Sequence, residues 1–153
     1  MAVPNGKNGK PGTQRGRARE LLVQALYQMQ LASHDKRELL AQFRERPEYE
    51  RVDKAFFDEA LGAILDERPS LEEQALQYID RPLSQLDPVE RGILLLGFYE
   101  LQRRVEIPYR VVINEAVNLT KRFGAVDGHK YVNAVLDRAA ERIRQGEAGA
   151  SSR

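Results

Sequence analysis

The chain has 153 residues, with 24 Lys and Arg, 23 Asp and Glu, two His and no Cys, for a formal charge of +1. That length suits one domain with a real core, and 42% apolar against 31% charged residues excludes a wholly disordered chain. The absent cysteines exclude disulfides, thiolate zinc sites and cysteine nucleophiles, and no apolar run approaches the roughly 20 residues of a bilayer span. A cytoplasmic protein is expected.

The first 19 residues hold Lys7, Lys10, Arg15, Arg17 and Arg19 and no acid. The remaining 19 bases stand against 23 acids, so a +5 arm precedes a −4 body. Residues 1–14 are rich in Gly and Pro and read as a disordered basic tail. Such an arm is either a nucleic-acid contact or a solvated tail.

Everything from 15 to 144 reads as helix. Threonine is scarce, and no stretch alternates polar and apolar residues as a half-buried strand would. The first helix, about 14–32, carries a stripe of Leu21, Leu22, Ala25, Leu26 and Met29. A second runs from about 36 to 46 and stops before Pro47. The third, about 51–67, is apolar on two faces (Phe56, Ala60 and Ile64; Phe57, Leu61 and Leu65). Ser70 and Glu73 have capping-box spacing and open a fourth. Residues 80–87 break the pattern and divide two subbundles.

Asp87-Pro88 then starts a fifth helix that is apolar all round from Ile93 to Tyr99, the mark of a central buried element. Gly92 and Gly97 in it predict close helix packing. Pro108 begins the sixth, with Val112, Ala116, Leu119 and Phe123 as its stripe and Gly124 as its stop. Asp127 is placed to cap the seventh, striped by Val132, Val135, Leu136, Ala139 and Ile143. The expected fold is all-α, a single-domain bundle of about seven helices in two subbundles. Residues 145–153 are small and polar and read as a frayed tail.

No glycine loop leads to Lys-Ser or Lys-Thr, and no nucleophile, base and oxyanion set can be assembled. No enzymatic activity, cofactor or metal is expected. Arg15, Arg17 and Arg19 lie where the first helix begins, where positive charge opposes the helix dipole and a polyanion would relieve it. A second cluster runs from Lys121 to Tyr131 and combines basic pairs, two aromatics and a helix N-terminus. Phe123 and Tyr131 suit either stacking on an unpaired base or core packing, and Asp127 suits either a ligand contact or a cap.

Four motifs, in order, make the chain resemble the NusB family of bacterial transcription antitermination factors. They are Arg17-Ala18-Arg19-Glu20 with Val23 to Tyr27, Leu96 to Leu101, Ile107-Pro108-Tyr109 with Val112 to Ala116, and Phe123-Gly124 through His129-Lys130-Tyr131 to Asp137. The resemblance covers about residues 15–144. It implies an all-helical fold and binding of boxA RNA in ribosomal RNA leader transcripts, jointly with the ribosomal protein NusE, within an RNA polymerase complex that resists termination. It implies RNA contacts at Arg15, Arg17, Arg19, Phe123, Asp127, His129, Lys130 and Tyr131, and a NusE-facing side at Tyr27 and Glu90. Some members are homodimers. Two departures stand out: Gly16 interrupts an arginine run, and Gly128 stands where a small hydroxyl residue is common. The competing expectation is a helical protein-interaction scaffold with a non-specific basic tail.

Overall fold

In the computed structural model, residues 12–147 are described, and among them every regular element is helical. Six α-helices follow in order: α1 (Gln14–Leu31), α2 (Lys36–Arg44), α3 (Lys54–Ala75), α4 (Pro88–Arg103), α5 (Tyr109–Phe123) and α6 (Gly128–Ile143). Two 3-10 turns, Pro47–Arg51 and Leu83–Gln85, lie in the links. Helices α1, α2 and α3 form one half and α4, α5 and α6 the other. The two halves share α4, which packs on α1, α3, α5 and α6. The expected all-α bundle of two subbundles is what forms.

Local chemistry fixes the helix starts. Thr13 Oγ1 accepts the Gly16 amide at 2.9 Å and caps α1. Asp35 accepts from Glu38 at 2.7 Å to cap α2, and Asp53 accepts from Phe56 at 3.1 Å to cap α3. The stripe of α1 lies buried, as do both apolar faces of α3 through Phe56, Phe57, Ala60, Leu61 and Ile64.

The predicted third and fourth helices are continuous. Pro69 lies inside α3, and Ser70 is an exposed helical residue instead of a cap. An interior proline removes one backbone hydrogen bond and crowds the preceding turn, at a cost of about 3 kcal/mol. Burial on both sides of it, by Ile64 before and Leu71 and Ala75 after, holds the helix together.

Helix α4 is buried from Val89 to Leu101 apart from the half-buried Arg91. Its glycines set the spacing of the bundle. A Cβ at Gly97 would stand 2.8 Å from a Leu136 methyl of α6, and one at Gly92 would stand 3.1 Å from the Leu26 Cβ of α1. Both are close-approach positions, as their place in an apolar helix predicts.

The end of the bundle is tied by Arg144. Its buried guanidinium donates to the carbonyls of Leu101 (2.6 Å), Ile107 (2.9 Å), Arg104 (3.0 Å) and Glu100 (3.1 Å), closing the C-terminus of α4. It also meets Glu147 at 2.7 Å, and Glu147 accepts the Tyr109 amide at 2.8 Å. The expected frayed tail from residue 145 is therefore corrected at Glu147, which is a tether between α6 and the start of α5. The rest of that tail, and the basic tail up to residue 11, lie outside the described residues.

Candidate nucleic-acid interface

The three arginines at the start of α1 look alike in sequence and have three different environments. Arg15 donates through Nε and Nη2 to Asp53, both at 3.2 Å, and its guanidinium lies 4.8 Å from the centre of the Phe56 ring. It keeps a partly exposed side chain. Arg17 is half-buried on the wall of a groove of about 310 Å³ between α1 and the first 3-10 turn, with Arg51 and Glu48 beside it and Leu21 and Val52 in the lining.

Arg19 corrects the expectation of an RNA contact. It is 4% exposed and forms a two-pronged pair with Glu100 of α4, at 2.7 and 3.0 Å. Glu115 of α5 stands 3.9 Å away, and the Phe56 ring 5.2 Å. A buried arginine with its carboxylate matched is a bridge between helices, because removing either partner leaves an uncompensated charge.

Arg122 at the end of α5 donates to Glu20 of α1 at 2.6 Å. This pair joins the start of α1 to the last turn of α5. Lys121 beside it is exposed. Phe123 settles toward packing: it is 9% exposed and belongs to the core stripe of α5, with Arg122 over its ring at 5.5 Å. Of the two roles the sequence leaves open for Phe123, the core one is what the fold displays.

The loop from Gly124 to Asp127 carries two unusual features. Val126 is 93% exposed. Asp127 has φ 64°, the left-handed region that non-glycine residues rarely adopt. It occupies the cap position of α6, yet its side chain accepts no helix amide. The expected cap is thus corrected: the carboxylate faces outward, 3.6 Å from Lys130 Nζ. Backbone held in a sparsely populated region is a feature of ligand-contacting loops.

Glu90 takes the interior role instead. It is 7% exposed, accepts the Ala125 amide at 3.2 Å, and lies against Gly128 where any side chain would overlap its carboxylate. Burial holds its carboxyl above the ordinary range, with Asp87 adding to the effect and the Ala125 amide and Arg81 opposing it. Glu90, expected on a NusE-facing side, here buttresses the loop from beneath. Tyr27 is half-buried on α1. Three residues on, the Gln30 side chain donates to the Pro88 carbonyl at 2.8 Å, so this part of α1 lies beside the start of α4.

On α6, Lys130 is exposed and His129 and Tyr131 are half-buried. The Tyr131 hydroxyl donates to Asp80 at 3.2 Å, and the Arg81 guanidinium lies 4.5 Å from the ring centre. The Arg81 and Tyr131 hydrogen bonds hold the Asp80 carboxyl below its usual range, while burial pushes the Tyr131 phenol up. Sequence reasoning missed Asp80 and Arg81, because nothing local ties a polar break to a helix fifty residues on.

The Arg122–Glu20 pair thus joins the start of α1 to the end of α5, and α5 packs along α6. Lys121, His129, Lys130 and Tyr131 offer side chains around the α5–α6 loop and Arg17 offers one in the groove beside α1, while Arg19 and Phe123 lie inside. Among the described residues, no group of three His, Cys, Asp or Glu side chains is arranged to hold a metal ion. No described helix is long and apolar enough to cross a membrane.

An all-helical bundle around a shared central helix, with basic groups at one junction, defines a class of helical binding protein. Within that class the family is specific. The model of the NusB family matches residues 16–141. A transcription antitermination protein NusB of Pseudomonas entomophila is 46% identical over 147 residues, covering 95% of this chain and 89% of that protein. The protein of the same name in Nitrosospira multiformis is 48% identical over 132 residues, covering 86% and 84%. The solved structure of T. maritima NusB matches with a TM-score of 0.69 at 27% identity, covering 88% of this chain and 94% of that one. The chain belongs to the NusB family.

Proposed function

We propose that this protein is a transcription antitermination factor that binds boxA RNA of ribosomal RNA leader transcripts together with NusE, within a complex that keeps RNA polymerase from terminating. Membership of a family whose relatives are named transcription antitermination proteins supports the role. The support for RNA binding is the loop before α6, where Lys130 stands by the outward-facing Asp127 and Lys121 lies exposed at the end of α5, together with Arg17 on the groove at the start of α1. Lysine and arginine there neutralise phosphates, and Tyr131 and His129 offer rings to unpaired bases. Asp127 presents an acceptor to a base edge. Arg15 joins when phosphate competes with Asp53 for its guanidinium. Tyr27 is assigned to the NusE-facing side. Residues 15–144 act as one RNA-binding domain.

The test is an anisotropy titration of boxA RNA against the full chain, with and without NusE, over a range of salt. Affinity falls steadily with salt if phosphates are neutralised. Arg17→Ala is expected to weaken binding and flatten the salt slope by about one charge with the melting temperature unchanged. Arg19→Ala is expected to destabilise the fold by about 3–5 kcal/mol, the cost of stranding a buried partner. An absence of binding at low salt, with NusE present, would leave the scaffold reading in its place.

A further inference from the structure

The link between α3 and α4 brings a side chain to the basic face that no motif announces. Arg81 lies over Tyr131, its guanidinium carbon 4.5 Å from the ring centre. Asp80 fixes this arrangement through one oxygen: Oδ1 accepts from Arg81 Nε at 2.8 Å and from the Tyr131 hydroxyl at 3.2 Å. The Arg81 side chain remains 43% exposed. The guanidinium is therefore backed by an aromatic ring, and its Nη edge is left for a further acceptor. The exposed Lys130 is the residue before Tyr131, so the platform adjoins the start of α6.

A guanidinium held in this way has a particular use. It is planar, weakly hydrated and permanently charged, so a second flat π-system can stack on it. Unpaired bases in single-stranded RNA are bound by stacking on aromatic rings and on arginine planes. Pre-placement by Asp80 removes part of the side-chain entropy that ordering an arginine on binding costs. The groups facing Arg81 are not all favourable. Asp80 cancels part of its charge, and the Glu90 carboxyl is near enough to feel it. Its value therefore lies in shape and plane more than in net charge.

We propose that Arg81, laid on Tyr131 and held by Asp80, is a stacking platform for an unpaired base of single-stranded RNA, extending the binding face from α6 onto the α3–α4 link. This rests on the RNA-binding reading above and names a contact beyond it.

The experiment uses the full chain with NusE and boxA RNA in which single bases are replaced by 2-aminopurine, whose fluorescence is quenched by stacking. Wild type, Arg81→Ala and Arg81→Lys are compared for affinity, salt slope and melting temperature. Arg81→Ala is expected to weaken binding about tenfold and to relieve the quenching at one position, since stacking contributes about 1–3 kcal/mol per base. Arg81→Lys is expected to keep the wild-type salt slope and still lose affinity and quenching, because it restores the charge without the plane. Full rescue by lysine would overturn the platform and leave Arg81 a point charge. Wild-type affinity in Arg81→Ala would remove Arg81 from the face altogether. Failure of the wild type to bind RNA would defeat the functional reading, and the platform with it.

Discussion

Glu90 shows how far a residue's environment can depart from its local sequence. By sequence it is an acid in the first turn of α4, fit for solvent or for a basic partner. In the fold it lies beneath the α5–α6 loop, with its pKa raised chiefly by burial. A carboxyl raised in the folded state binds protons more readily than in the unfolded chain, so ionising it costs stability as pH rises from the ordinary value of 4.5 to the raised one. Glu90→Gln is therefore expected to raise the melting temperature at neutral pH, and the gain is expected to vanish as pH falls toward 4.5. Thermal melts of both proteins across pH 4–8 check this. The same lesson covers the arginines. Arg17 and Arg19 are two positions apart, and only the fold reveals that Glu100, 81 residues away, holds one of them. The polarity of these side chains was legible; their availability was not, because burial of a charged group is decided by distant partners.

Element boundaries were legible wherever a cap or a stripe set them. Asp87 with Pro88 at the start of α4, and Gly124 at the end of α5, fall where the sequence puts them. The failure at Pro69 has a definite cause. Local rules read proline followed by a capping box as a stop and a start, while α3 has apolar neighbours on both sides of that point and gains more from burying them in one continuous element. Pro69→Ala restores the missing amide at an exposed helical position. It is expected to stabilise the protein by about 1–3 kcal/mol, read from urea denaturation at constant slope. A destabilisation would mean that α3 depends on a bend at this residue. The link after α3 was read only as a divider, because its functional content lies in a contact with α6 that no spacing encodes.

For the molecule as a whole, the shared helix α4 decides how the two halves behave. It packs against α1 and α3 on one side and α5 and α6 on the other, so neither half has a complete core without it. A single cooperative transition is expected, with both halves melting together. Gly97→Ala tests this coupling: a methyl there meets the ends of the Leu136 side chain at under 3 Å and must displace that side chain or the helix that carries it. The expected cost is about 1–3 kcal/mol, with one transition still seen by circular dichroism and by tyrosine fluorescence. Two separated transitions would show that the halves fold independently. The central position of α4 was legible from its unbroken apolar run; the end closed by Arg144 and Glu147 was not, since Glu147 belongs to a stretch whose composition resembles a tail and the carbonyls Arg144 meets are about 40 residues away.

The α3–α4 link has a kinetic consequence. Between Leu76 and Asp87 only Leu86 is buried, and its backbone bonds belong to short turns. Such a segment opens by itself, far more often than the helices it joins. Its amides will exchange with solvent through local opening while those of α4 exchange only through global unfolding. A ligand that engages Arg81 then closes a segment that breathes, and occupancy of the face becomes visible as slowed deuterium uptake in this link.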